Sequence, residues 1–105
     1  MSVLYYGSEP IEIPERLLAH LKVVVTSKLR RNERFTLSVV SPRGSGGGSA
    51  TLWIDPAIPL RFVFDSAEAE ALDPELLHEL ARAANSVRGL VLDLDAVEAR
   101  SLTAV

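Results

Sequence analysis

The chain has 105 residues, a formal net charge of −3 at pH 7, and a composition of 48% hydrophobic and 24% charged residues. These values are typical of one globular domain and exclude a disordered or fibrous chain. Cysteine is absent, which excludes disulfides, thiolate nucleophiles and cysteine-ligated metal sites, and which favours a cytoplasmic location. We expect no signal peptide, because the N-terminus lacks a basic segment followed by a long apolar core. We expect no membrane-spanning helix, because the sequence has no run of about 18 apolar residues.

Charge is distributed unevenly along the chain. Residues 1–61 contain eight Lys and Arg against five Asp and Glu, whereas residues 62–105 contain three against nine. The charge balances of the two parts are therefore +3 and −6. This asymmetry predicts either a dipolar molecule with one basic and one acidic surface, or two surfaces that are simply solvated differently.

The first third of the chain predicts two strands and a helix. Residues 3–6 and 11–13 are strand-like, and the turn residues 7–10 between them favour a hairpin. Pro14 suits the first position of a helix, where a missing N–H costs nothing. The apolar residues that follow recur at helical spacing and fall on one face: Leu17, Leu18, Leu21, Val24, Val25 and Leu29.

The middle of the chain predicts three strands. Residues 35–39, 51–54 and 60–64 have the composition and alternation of strands, and they are close enough in sequence to form an antiparallel meander. The stretch at residues 42–49 is rich in glycine and predicts a flexible loop. A phosphate-binding loop is not expected there, because the glycines do not lead into a helix and no Gly-Lys-Ser/Thr follows them.

The last part of the chain predicts a helix, a strand and a tail. Asp73 is a good N-cap, Pro74 suits the first helical turn, and Gly89 is placed to end the helix. Residues 90–94 predict a final strand. We expect residues 96–105 to form a weakly structured C-terminal tail.

The resulting order, β-β-α-β-β-β-α-β, predicts a single α+β domain over residues 1–95. A mostly antiparallel sheet with two helices packed on one face is the natural arrangement, because two helices cannot cross over every strand in that order. The sequence contains no internal repeat.

No constellation of catalytic or metal-binding residues can be assembled from the sequence. The two histidines, His20 and His78, lie on different predicted helices, and neither belongs to a metal-ligand pattern. We expect His20 to pack at the edge of the core and His78 to lie on the surface. The serines lack a Gly-x-Ser-x-Gly nucleophile motif. The sequence therefore predicts no catalytic residue, no cofactor and no metal ion.

A basic segment at residues 28–34 is the strongest candidate for a binding site, because it concentrates one charge in an acidic protein. One interpretation is a patch that binds phosphates, with a tryptophan on which bases stack. The other is structural, with cations that complement the negative end of a helix and a tryptophan that covers the sheet. The candidate binding residues are the four cations of this segment and two residues of the neighbouring strands: Lys28, Arg30, Arg31, Arg34, Trp53 and Arg61.

Several segments resemble a family of small actinobacterial proteins of unknown function. The resemblance is carried by residues 6–8, 18–24, 28–35, 52–62, 84–86 and 89–90. Members of that family are often labelled ATP-dependent DNA ligase, which implies a link to DNA enzymes. A ligase of that type needs a Lys-x-Asp-Gly nucleophile, whereas Lys22 precedes three valines and Lys28 precedes Leu-Arg-Arg. We therefore do not expect ligase catalysis from this chain.

The sequence favours a cytoplasmic, non-catalytic domain that binds another protein or self-associates. The alternative is a nucleic-acid-binding accessory module that uses the basic segment. Neither hypothesis involves a membrane, a metal ion or a cofactor.

Overall fold

The predicted succession of strands and helices is confirmed, and the fold class is α+β. The structure is a computed structural model that describes residues 2–41, 48–68 and 71–94. The predicted C-terminal tail and most of the glycine-rich loop lie outside the described residues. The elements are β1 (Ser2–Tyr6), β2 (Glu9–Ile13), α1 (Glu15–Arg30), β3 (Phe35–Ser41), β4 (Gly48–Ile54), β5 (Leu60–Val63), α2 (Pro74–Ala84) and β6 (Leu90–Asp93).

The described strands form two three-stranded sheets, where the sequence predicted one. The first sheet has the strand order β2-β1-β5 and the second has the order β4-β3-β6. Neighbouring strands are antiparallel except for β3 and β6, which are parallel. The two sheets are therefore mostly antiparallel, as predicted, but they are separate.

The predicted meander of β3, β4 and β5 is wrong at its last step. A turn follows β4, in which the Ile58 N–H donates to the Asp55 carbonyl at 3.0 Å and the Ala57 N–H donates to the Asp55 side chain at 2.8 Å. This turn leads β5 away from β4 and onto β1, where Leu4 pairs with Phe62. The chain thus passes from the second sheet back to the first.

A hydrogen bond joins the sheets near this turn. The Tyr6 hydroxyl donates to the backbone carbonyl of Trp53 at 2.7 Å, and so connects β1 with β4. The Gly7 N–H donates to the Pro59 carbonyl at 2.9 Å, which extends the pairing of β1 with β5 within the first sheet. The two sheets are therefore fixed to each other at the end where the candidate Trp53 lies.

Helix α1 forms because its apolar residues fall on one face. Leu17, Leu18, Leu21, Val24 and Val25 are all buried, as the periodicity predicts. They share a single core with the inward residues of both sheets, such as those at alternate positions of β3. The opposite side of α1 is exposed to solvent.

Helix α2 begins as predicted. The Asp73 carboxylate accepts the backbone N–H of Glu75 at 3.0 Å, which is the N-cap hydrogen bond. This bond is the main reason why the pKa of Asp73 is lowered, and the Arg16 guanidinium, 3.2 Å away, lowers it further. Both helices fall short of the length and hydropathy that a membrane crossing requires.

Gly89 does not end α2, contrary to the prediction. The helix ends at Ala84, where Asn85 caps it with a backbone N–H that donates to the Ala81 carbonyl at 3.2 Å. Gly89 lies further along the chain, with a left-handed φ of +78°, packed against the backbone and side chain of Thr36 in β3. Gly89 therefore does not cap the helix. Because it has no side chain, it allows the backbone to pass close to β3.

The two helices run parallel and in register. Arg16 donates to Asp73 near the start of both helices, and Lys28 donates to Asn85 near their ends. Each pair is separated by 57 residues in the chain. Because the offset is the same at both ends, α1 and α2 lie side by side and point the same way.

His20 is the buried link between the helices. Its side chain has no exposed surface, and its Nδ1 lies 2.6 Å from the Arg16 carbonyl oxygen. A carbonyl oxygen only accepts, so Nδ1 carries the proton, and Nε2 accepts the backbone N–H of Asp73 at 2.8 Å. His20 is thus more deeply buried than the edge-of-core position predicted for it, while His78 is exposed as predicted.

Candidate binding surface

Lys28, at the centre of the predicted basic segment, is buried. Only 7% of the residue is exposed. Its ammonium group donates to the Asn85 side chain, pairs with the Glu33 carboxylate at 3.2 Å and lies 5.8 Å from the centroid of the Phe35 ring. Lys28 therefore connects α1, α2 and β3, and it is not part of an exposed binding surface.

Glu33 partly neutralises the rest of the segment. The chain turns back after α1 through Asn32, which has a left-handed φ of 59°. Glu33 thereby reaches both Lys28 and Arg31, whose guanidinium lies 3.2 Å from its carboxylate. The pKa of Glu33 is lowered, mainly by the hydrogen bond from Lys28 and also by the charge of Arg31.

Arg34 and Trp53 meet at Asp55. The Arg34 Nε donates to the Asp55 Oδ2 at 2.7 Å, and the Trp53 indole N–H donates to the same oxygen at 3.3 Å. Trp53 is 50% exposed. The pKa of Asp55 is lowered, first by the backbone N–H of Ala57 and then by Arg34. The charge of Arg34 is therefore paired beside the exposed tryptophan.

This arrangement makes the fluorescence of Trp53, the single tryptophan, a reporter of Asp55. We expect the emission of the folded protein to titrate below 3.8, the ordinary aspartate pKa, and Asp55→Asn to abolish this step. Folding lowers the pKa of Asp55, so the ionised carboxylate stabilises the fold at any pH above its pKa in the unfolded protein. That contribution is lost as the pH falls through its pKa in the folded protein. A step at or above the ordinary value, or one that persists in Asp55→Asn, would contradict this assignment.

Arg61 lies on the other sheet. Its guanidinium carbon is 5.3 Å from the centroid of the Tyr5 ring, its cross-strand partner on β1. The predicted candidate residues therefore do not form one patch. Arg30 and Arg31 lie at the end of α1, Arg34 and Trp53 lie at Asp55, and Arg61 stacks on the outside of the first sheet.

The structure instead brings together a set of residues on the exposed side of α1. They line a shallow, open depression of about 630 Å³. Their spacing gives two adjacent rows along the helix, in which each residue lies one turn from the next. We call this set the α1 surface, and its members are Lys22, Val23, Thr26, Ser27, Arg30 and Arg31.

Lys22 is the cation of the α1 surface that the sequence analysis did not select, and Val23, Thr26 and Ser27 were not selected either. Lys22 belongs to the same row as Thr26 and Arg30, at positions i, i+4 and i+8 of one helix. A search for consecutive cations does not find it, because five residues lie between it and Lys28 in the chain. A search for cations at helical spacing on the polar face of α1 would have found it.

Apolar side chains border the α1 surface. Val23 is 39% exposed, and beside it a groove of about 150 Å³ between the helices is lined by Leu77 and Ala81 of α2. A second groove, of about 320 Å³, leads past Phe64 to Leu72, which is 48% exposed, and its lining also includes the carboxylates Glu15 and Glu68. The surface therefore combines positive charge with exposed hydrocarbon.

The electrostatics of the α1 surface favour an anion. None of the described residues that line its depression is a carboxylate. Within the described part of the chain, Arg30 makes no ion pair or hydrogen bond through its side chain, and the Lys22 ammonium has only the Phe64 ring, 5.7 Å from its centroid. A metal ion has no comparable site there, because no group of three His, Asp or Glu side chains converges among the described residues.

A family model described as "Domain of unknown function (DUF7882)" matches residues 1–95 of the chain. The chain belongs to the DUF7882 family. The match covers all eight described elements of this DUF7882 domain, and therefore both sheets and the whole α1 surface. No curated protein and no solved structure matches the chain significantly. The family description carries no activity.

Proposed function

We propose that this DUF7882 domain is a non-catalytic protein-interaction module, and that its α1 surface binds an acidic, amphipathic segment of a partner protein. One observation carries the proposal. Lys22, Arg30 and Arg31 line the same depression as the exposed Val23, and no carboxylate is among the described residues that line it. Such a surface is complementary to a segment that has acidic side chains next to apolar ones.

The chemistry of the side chains supports this mode of binding. Arginine forms two parallel hydrogen bonds with a carboxylate, which gives orientation as well as attraction. The hydrocarbon stems of Lys22 and Arg30 extend the apolar area around Val23. Apolar side chains of the partner would cover Val23 and the groove at Leu77, and its carboxylates would pair with the cations.

The alternative, binding of nucleic acid, is less well supported by the arrangement of the candidate residues. Such a module combines several phosphate-binding cations with an aromatic side chain on which bases stack. Trp53 lies on the second sheet, Arg34 is paired with Asp55, and Lys28 is buried. The α1 surface has three cations and exposed valine, which suits a protein segment better.

The proposal includes the absence of catalysis. His20 uses both ring nitrogens in buried hydrogen bonds, so it is not free to act as a base. The two lysines of the helix do not fit a ligase, because neither begins a Lys-x-Asp-Gly motif. The ligase label of the actinobacterial proteins that the sequence resembles is therefore not supported by this chain's own residues. A cytoplasmic location, favoured by the absence of cysteine, completes the proposal.

A designed probe peptide tests this function. It has about 16 residues, enough for four helical turns, with glutamates on one face and leucines on the other, and a fluorescent label. We expect binding by fluorescence anisotropy that weakens from about 20 to 200 mM salt, because exposed charges are screened. Arg30→Glu and Val23→Glu should each weaken binding about tenfold or more.

Two controls make the test specific. Arg88→Glu changes the same charge at an exposed position outside the α1 surface and should leave the affinity unchanged. A probe with lysines in place of the glutamates should not bind. Equal binding of both probes would contradict the proposal. Tight binding of an oligonucleotide that is lost in Arg30→Glu would show that the α1 surface binds nucleic acid instead. A molecular mass that rises with protein concentration, and that falls to the monomer mass in Val23→Glu, would show that it binds a second copy of the chain.

A further inference from the structure

One end of the α1 surface has more hydrogen-bond donors than a carboxylate uses. Thr26 and Arg30 are one turn apart on the helix, and so are Ser27 and Arg31. Side chains on a helix lean toward its N-terminus, so Arg30 leans over Thr26. Arg31 is the C-cap of α1 and lines the same depression as Ser27. Two guanidinium groups and two hydroxyl groups therefore face the same depression.

These donors are largely available. Within the described part of the chain, the side chains of Thr26, Ser27 and Arg30 make no hydrogen bond to other residues. Arg31 uses one terminal nitrogen on Glu33 at 3.2 Å, and a guanidinium has five N–H donors. Glu33 is also paired with Lys28 at 3.2 Å, so Arg31 can turn to a ligand without leaving Glu33 unpaired.

We propose that the anion recognised at this end of the α1 surface is a phosphorylated serine or threonine of the partner segment, bound by Thr26, Ser27, Arg30 and Arg31. This inference rests on the proposed function. A phosphate group carries nearly two negative charges and three acceptor oxygens, which matches two arginines and two hydroxyls, whereas a carboxylate has one charge and two oxygens.

The shape of the site assigns the phosphate to a peptide rather than to a free ion or a nucleic acid. The depression is shallow and open, so a free phosphate would stay largely hydrated and gain little. A peptide adds apolar contacts at Val23 and Leu77. A nucleic acid would need cations at each successive phosphate. Lys28 is buried, so the next exposed cation before Arg30 on the helix is Lys22, about 12 Å away along the axis.

The test uses the acidic probe peptide with one central glutamate replaced by serine or by phosphoserine. We expect the phosphoserine peptide to bind about tenfold more tightly than the serine peptide. Arg30→Gln should weaken the binding of both peptides and remove the preference, so that the phosphoserine and serine peptides bind with similar affinity. Lys22→Gln is the matched control, because it removes a charge from the same surface outside the phosphate site, and it should keep the preference.

The outcomes separate the two proposals. Equal binding of the phosphoserine and serine peptides would overturn the phosphate site and leave the protein-interaction function intact. If neither of these peptides binds, and the original glutamate probe does not bind either, both proposals are overturned. Inorganic phosphate that binds as tightly as the phosphoserine peptide, or a single-stranded oligonucleotide that binds more tightly, would overturn the assignment to a phosphorylated protein segment. Unchanged circular dichroism of Arg30→Gln would show that the variant is folded.

Discussion

Replacing Gly89 with alanine is expected to lower the free energy of unfolding, measured by urea denaturation, by about 2–5 kcal/mol. The left-handed backbone contributes about 1–2 kcal/mol of this loss. Overpacking against β3 contributes about 1–3 kcal/mol. The added methyl group would overlap the Thr36 hydroxyl and lie 2.8 Å from the Thr36 backbone oxygen. The φ of +78° adds strain for any residue with a side chain. The backbone oxygen cannot move without disturbing β3.

Gly7 provides a matched control for Gly89. It also has a left-handed backbone, with a φ of +61°, but a methyl group there would meet no atom within 4 Å. Gly7→Ala should therefore cost only the conformational strain, about 1–2 kcal/mol. Adding Thr36→Ala to Gly89→Ala should recover part of the loss, since it removes the hydroxyl but not the backbone oxygen. Equal losses for Gly7→Ala and Gly89→Ala would contradict the close approach to β3.

Replacing His20 with phenylalanine is expected to lower the free energy of unfolding by about 2–4 kcal/mol, since large losses accompany buried polar groups that lose their partners. Phenylalanine has a similar ring but no nitrogen. The Asp73 N–H would then lose its acceptor at the start of α2, and the Arg16 carbonyl would lose a donor. Both polar groups would then face an apolar ring at a position that water does not reach.

Two variants test whether the nitrogens of His20 are responsible. His20→Gln keeps an acceptor near the position of Nε2, so it should be less destabilising than His20→Phe. His78→Phe makes the same change at an exposed position of α2 and should alter stability by less than about 0.5 kcal/mol. A His20→Phe variant as stable as the His78→Phe variant would show that the buried hydrogen bonds contribute nothing.

The local elements could be predicted from the sequence because each leaves its own periodic signal. The stripe from Leu17 to Val25 and the Asp73 N-cap are local patterns, and both are present in the structure. The division into two sheets could not be predicted. The alternation of apolar and polar residues in β5 is the same whether β5 pairs with β4 or with β1. Which strand it pairs with depends on the turn at Asp55 and on contacts with distant residues.

The candidate site was predicted only in part, for reasons that concern individual residues. Arg30 and Arg31 are exposed and belong to the α1 surface. Lys28 falls on the helical face of Leu21 and Val24, and its burial depends on Asn85, 57 residues away, which no local pattern reveals. The pairing of Arg34 with Asp55 likewise depends on the register between β3 and β4.

The exchange of strands between the two halves of the chain determines how this protein can fold. β1 in the first sheet is paired with β5, and β3 in the second sheet is paired with β6, so each sheet takes strands from both halves. Leu4 pairs with Phe62, and Leu37 pairs with Leu90, which are separations of more than half the chain length. Such long-range pairing slows folding, because chain entropy is lost before the contacts form. During synthesis, the first half therefore has no complete sheet to form until the second half has followed it.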